Sequence, residues 1–291
     1  MGVKIDTNGV SAQQLLQIQQ KSLKILLFFD SFCNAHNLTY FLAGGCCIGA
    51  IRNGAFIPWD DDIDVFMLRE DYERMKELWV DTEDYSIQYT TKDYITETQI
   101  VTICDNHTTL IKKNRRDLDI HHGLGIEVLP LDGCPSGWRR KTQKIWAIFR
   151  SLFIVGRAPE KHGKLLFLGG KLLLSLVRSK AWRYRLWCWC ERKMSRYPVR
   201  ECDRVAELCS IPLNLSKEYP KEIFEKAIRV SFDGEMISVP VGYEQYLSIA
   251  FGDYRKLPPV EERVSHHEYE VIDMDRSYKT YRGTKYFVQK K

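Results

Sequence analysis

Apolar residues recur at helical spacing near the start of the chain: Leu15, Ile18, Ile25, Phe29 and Phe32 share one face of a segment that opens at Ser11, with Gln14 three residues on. That pairing is a capping box, and the pattern predicts a helix over 11–36. The period then changes. "LTYFLAGG" (38–45) reads as a short strand running into a glycine turn, and "CCIGAIRN" (46–53) as a short helix opening just after it. Past the loop "GAFIPW", the stretch "DIDVFML" (62–68) begins by alternating charged and apolar positions, which puts Asp62 and Asp64 on one face of a strand. "REDYERMKELWV" (69–80) is helical in pattern, while "YSIQYT" (85–90), "TQIVTICD" (98–105) and "TTLIKK" (108–113) predict further strands. "GLGIEVLPLDG" (123–133) reads as a buried strand ending in a Pro and Gly turn.

This order of α, β, α, β, α and then mostly β predicts an α+β fold, a mixed sheet with helices packed against it. The middle of the chain is helical in pattern, interrupted at Pro159, Gly169 and Gly170. The last third carries a predicted helix at "GYEQYLSIAFGDY" (242–254), followed by an irregular "RKLPPVEERVSHHEYEVID" (255–273). Composition fits a globular protein, with 44% hydrophobic and 28% charged residues in 291. The opening residues show no basic stretch leading into an apolar core, and no charge-free apolar run reaches the roughly 18 residues of a membrane span. A cytoplasmic protein is expected. Nine cysteines at irregular spacing read as reduced thiols rather than a disulfide framework. A zinc site at Cys188, Cys190, Cys202 and Cys209 stays open as an alternative to helix packing.

Charge divides the chain. Residues 138–200 hold 17 of the 43 Lys and Arg against two acids, Glu160 and Glu191, giving +15; the net +5 of the whole leaves −10 for the rest. Five of the seven tryptophans lie there as well. Composition thus sets a basic, Trp-rich helical middle (138–205) between a carboxylate-bearing first part (1–137) and a C-terminal part (206–291). Basic residues mixed with leucine and aromatic faces suit the headgroup region of an anionic membrane. A helical subdomain turned toward solvent or an anionic substrate is the other reading. No base-reading motif accompanies the charge, so nucleic acid is not an expected partner.

The densest chemistry is "IPWDDDIDVF" (57–66), with four aspartates in five positions. Such crowding is costly unless a cation relieves it, and carboxylate oxygens suit Mg²⁺ or Mn²⁺. A solvated loop is the ordinary fate of acidic runs, yet these acids sit between "FIPW" and "VFML". A third acid from a neighbouring strand would complete a metal site, Glu127 first and Asp132 second. Gly44 and Gly45, before a helix, suit the close approach of a phosphate, and Arg52 on that helix would hold a phosphate oxygen or an exposed salt bridge.

With these residues in view, "YFLAGGCCIGAIRNGAFIPWDDDIDVFMLREDYERM" closely resembles the LicD family of phosphotransferases. "IEVLPLDG" and "FGDYRKLPPVEERVSHH" match two further motifs of that family in order, so the resemblance covers roughly 25–133 and 240–270. It implies a nucleotidyltransferase fold related to DNA polymerase β, with Asp62 and Asp64 as ligands of Mg²⁺ or Mn²⁺ and Glu127 as third ligand or base. It implies transfer of a phosphorylated alcohol, most often phosphocholine, from a CDP-linked donor such as CDP-choline to a sugar hydroxyl of a cell-surface polysaccharide or glycolipid; the expected place of the protein is the cytoplasmic side, peripheral on the inner face of the membrane. Gly44, Gly45, Cys46, Arg52, Asp61, Asp132, Arg263, His266 and His267 are the expected substrate contacts. Two positions depart from the family pattern: Cys46 stands where a small hydroxyl residue is usual, and Glu127 where aspartate is usual. The alternatives are a nucleotidyltransferase passing NMP from an NTP to a small acceptor, and an inactive membrane-associated scaffold.

Overall fold

The computed structural model describes residues 10–155, 164–209, 214–265 and 267–288, with the backbone alone for 164–167 and 214. It is a mixed α/β structure. Helix α1 (Ala12–Ala35) starts at the predicted Ser11–Gln14 capping box and buries Ile18, Ile25, Leu26 and Phe29. There follow β1 (Phe41–Leu42), α2 (Gly44–Asn53), β2 (Asp64–Leu68), α3 (Arg69–Leu78), β3 (Tyr85–Gln88), β4 (Val101–Asp105), β5 (Thr109–Lys112) and β6 (Gly125–Cys134). The basic middle forms α4 (Gly137–Val155), α5 (Lys164–Leu176) and α6 (Lys180–Met194). After it come β7 (Arg204–Glu207), β8 (Tyr219–Pro220), β9 (Ala227–Phe232), β10 (Glu235–Pro240), α7 (Tyr243–Phe251) and β11 (Tyr269–Asp273). No helix among the described residues is long and apolar enough to cross a membrane.

The ten-residue β6 organises the main sheet. On one side it pairs in parallel with β2, which pairs with β1; on the other, its first half pairs with β4 and its second half with β7. Pro130 therefore falls between the two antiparallel partners, where its missing N–H costs least. The strand continues to Cys134, so the predicted turn at "PLDG" is not there. Gly133 is required within it: a Cβ would stand 2.5 Å from the Tyr197 carbonyl oxygen.

Side chains alternate faces along a strand. Val65 and Met67 enter the core that α1 and α3 also line, whereas Phe66 shares the Asp64 face and packs edge-on against Tyr246 at 5.7 Å. The core also takes residues from Val199 through Met274, so the C-terminal third packs with the first.

Parity also decides the fate of Asp132. Five residues from Glu127, it points to the opposite face and does not join the acidic cluster. There it is fully buried in a two-pronged pair with Arg69, at 2.7 and 2.8 Å. Arg69 also reaches Glu191 of α6 at 3.3 Å, and Glu191 accepts from the buried Arg150 of α4 at 3.0 Å. Burial would raise the Glu191 carboxyl, but Arg150 and Arg69 hold it below the ordinary carboxylate range. Arg140 is likewise buried, donating to Glu218 at 2.7 Å. Part of the positive charge of the middle segment is thus internal, fastening α4 and α6 to the sheet. Removing one member leaves a buried charge without its partner. Asp132→Ala should lower the unfolding free energy by about 3–5 kcal/mol, measured by chemical denaturation.

Candidate active site

The site forms where β1 hands over to α2. Ala43 is extended, Gly44 takes φ +55°, and the helix opens there, two residues before the predicted start. The Gly44 N–H donates to the Tyr246 hydroxyl at 3.0 Å. Gly45 allows a close approach: a Cβ would lie 2.3 Å from Asp60 Oδ2, so Asp60 packs on the first turn of α2. Cys46 turns inward, is buried, and donates its thiol to the Asp62 carbonyl at 3.2 Å. It braces the acidic segment rather than facing a substrate, because burial commits its only polar atom.

Asp64 starts β2 directly opposite Glu127 in the parallel register. Asp60, Asp62, Asp64 and Glu127 crowd together. Burial first, and then neighbouring carboxylates, push Asp60 up to about 8, Asp62 upward and Asp64 well above the usual range. Asp64 Oδ1 is buried with no hydrogen-bond partner among the described residues. Mutual repulsion and an orphaned carboxylate oxygen at Asp64 suit a hard divalent cation, while the three ligand atoms that stand within 4.8 Å of one another among the described residues belong to Asp61, Asp62 and His267 rather than to Asp62, Asp64 and Glu127.

Asp61 behaves differently. Burial would raise it, but hydrogen bonds from His267, Ser265 and Tyr269 bring it below the ordinary value. With its side chain only 2% exposed, Asp61 fastens the 265–269 segment rather than meeting substrate through a free oxygen. The His267 tautomer follows from its neighbours: Lys112 Nζ donates to Nε2 at 3.1 Å, and Nδ1–H donates to Asp61 at 3.1 Å. Ligand atoms of Asp61, Asp62 and His267 lie within 4.8 Å of one another. His266 lies outside the described residues. Among the described residues the four cysteines weighed for zinc form no such group.

Lys112, with Ser265 and Tyr269, is among the residues that sequence reasoning missed. β5 and β11 pair with Lys112 opposite Tyr269, and this ribbon delivers both to the acids. Lys112 Nζ also stands 3.5 Å from Glu127 Oε1. A lysine at a strand end carries no local mark of such a role; the alternation in "YEVID" was the one available sign of β11.

Arg52 and Arg263 are brought together. Burial first, and then Arg263, lower the Arg52 pKa. Arg52 donates to the Tyr254 carbonyl at 3.3 Å, and its Nη2 is buried without a partner among the described residues. Arg263 stacks over Trp59 at 5.7 Å. Neither arginine has an ion pair among the described residues, which suits an anion between them.

Two cavities flank the acids. One, of about 400 Å³, is lined by Gly44, Gly45, Trp59, Asp60, Asp64, Lys217 and Phe251. The other, of about 60 Å³, is lined by Lys112, Arg115, His121 and Glu127. Asp62 lines both. His121 is held neutral, since the Gly123 N–H donates to Nδ1 at 3.0 Å and Nε2 meets Asn106 Oδ1 at 2.9 Å. Burial, then Lys279 and His122, lower its pKa to about 3 from 6.5. Its contribution to stability is therefore complete above pH 6.5 and is lost as pH falls toward 3. Proton NMR should show no His121 titration between pH 7.5 and about 5, and denaturant midpoints should fall less steeply over that range in His121→Gln.

Residues 37–121 match the family model described as LicD/FKTN/FKRP, nucleotidyltransferase domain. That span contains Gly44, Gly45, Arg52, the four aspartates and Lys112. The chain is 29% identical over 270 residues to the lipopolysaccharide cholinephosphotransferase LicD of Haemophilus influenzae, covering 88% of this chain and 97% of that protein. It is 26% identical over 88 residues to the uncharacterized protein RP689 of Rickettsia prowazekii, 30% of each.

Proposed function

We propose that this chain, a LicD-type transferase by its matched domain and its similarity over most of its length, moves phosphocholine from CDP-choline to a sugar hydroxyl of lipopolysaccharide, releasing CMP. The observation that carries the reading is Asp62, standing between two cavities of different size and chemistry. A transferase must hold donor and acceptor on either side of the group that moves.

In this reading the donor diphosphate lies in the larger cavity, against the first turn of α2, with Arg52 and Arg263 drawing its charge. The acceptor hydroxyl enters the smaller cavity beside Glu127, which takes its proton as the oxygen attacks the choline-bearing phosphorus. The bond from that phosphorus to the CMP oxygen breaks, and CMP leaves with the electron pair. Lys112, 3.5 Å from Glu127, keeps that carboxylate aimed, and His267 ties Lys112 to Asp61. Asp62 and Asp64, with Glu127, are the residues that would hold Mg²⁺ or Mn²⁺. When bound, the cation would neutralise diphosphate charge and acidify the acceptor hydroxyl. The polymerase β-like core at 1–137, the insertion at 138–205 and the completing segment at 206–291 belong to the same proposal.

The test is a panel of CDP-choline, CDP-glycerol and CDP-ribitol with lipopolysaccharide acceptor, following CMP. Turnover should favour CDP-choline, vanish with EDTA and return with Mg²⁺ or Mn²⁺. Asp62→Asn and Asp64→Asn should each cost on the order of 10³-fold in turnover with the melting curve intact, the scale expected for several kcal/mol of lost charge stabilisation. Pyrophosphate release from an NTP instead of CMP release would assign the chain to nucleotidyl transfer, and full activity in either variant would remove the mechanism.

A further inference from the structure

Among the open faces of the described residues, the outer side of α5 carries chemistry that points to a partner. The helix is apolar nearly all round, a pattern that calls for cover on every side. Leu173 and Val177 pack against the cluster of Phe153, Ile154, Trp187 and Cys190 built by α4 and α6. Leu168, Leu172 and Leu176, at i, i+4 and i+8, form a separate stripe and are 61%, 65% and 75% exposed. Trp182 follows within six residues at the start of α6, also exposed, with the Arg185 guanidinium 5.6 Å from its ring centre.

Along 164–200 the exposed charge has one sign. Lys171, Arg178, Lys180 and Arg185 are exposed. The one acid between 164 and 200 is Glu191, whose carboxylate is taken by Arg69 and Arg150. Surfaces that face water alone, or meet other soluble proteins, ordinarily intersperse both signs. Leucines in a row, a tryptophan at their end and cations without acids match the layers of an anionic bilayer surface: acyl boundary, interface and phosphate.

We propose that α5 and the start of α6 dock onto the headgroup region of an anionic phospholipid bilayer, lying on it without crossing. The proposal stands on this surface and not on the choline reading, although a lipid-borne acceptor would be met there. The full chain should float with vesicles of phosphatidylcholine containing phosphatidylglycerol, float weakly with phosphatidylcholine alone, and detach as salt rises. Leu172→Glu and the pair Arg178→Glu with Lys180→Glu should each reduce partitioning by about tenfold or more, with CMP release toward a water-soluble acceptor unchanged. Quenching of tryptophan fluorescence by brominated phosphatidylglycerol, reduced in Trp182→Phe, reads the same contact without touching the leucines. Absence of flotation at low salt, or flotation and quenching unaltered by these substitutions, overturns the proposal. So does a wild-type dimer that Leu172→Glu converts to monomer, which would make the stripe a contact between two copies.

Discussion

Repulsion among carboxylates is the constraint around which this structure is built. The parallel register of β2 and β6 puts Asp64 opposite Glu127, and the preceding loop adds Asp60 and Asp62 to the same side. Burial makes each charge more expensive, and neither Asp60 nor Asp64 is relieved by an ion pair among the described residues. The sheet beneath cannot relax the crowding, because its other face is closed by core residues such as Val65 and Met67. A rigid cluster of like charges of this kind is costly as a purely structural element.

What surrounds the cluster manages that tension in two ways. Cys46 and the Gly44–Tyr246 contact fix the backbone on which the acids sit, while the ribbon of β5 and β11 brings in Lys112 as a counter-charge and, just before β11, His267 as a hydrogen-bond donor. Asp61 is drawn off into its own hydrogen bonds, which stabilise its charge, although that charge still raises Asp60 and Asp62. Farther away, the Arg69–Asp132 pair and the Arg150–Glu191 pair tie the helical middle to the same strand that carries Glu127. One strand therefore carries Glu127 of the acidic cluster on one face and the assembly pair of Asp132 on the other.

Local signals were legible where the chemistry was local. The capping box set α1, and period two put Asp62 and Asp64 on one face before any partner strand was known. Glu127 was recognisable as a candidate, but only pairing could make it the neighbour of Asp64. The misreading of Asp132 was avoidable in part, since an offset of five along a strand reverses the face. The β9–β10 hairpin, turning on Asp233 and Gly234 with positive φ at both, carried a legible Asp-Gly mark that went unread. Lys112, Ser265 and Tyr269 were beyond reach, as their roles rest on contacts some 155 to 208 residues apart. The net charge of the middle was plain from composition, but not that Arg140 and Arg150 are spent inside.

The bond from Tyr269 to Asp61 spans 208 residues. During synthesis the acidic turn leaves the ribosome long before the strap that secures it, so a nascent chain carries the aspartates without the hydroxyl and imidazole that hold one of them in place. Order in the acidic segment thus waits on the strap that carries Tyr269, not on the residues that bear the aspartates. Chains cut short anywhere before that strap would be unfinished catalysts, however well their first half had folded.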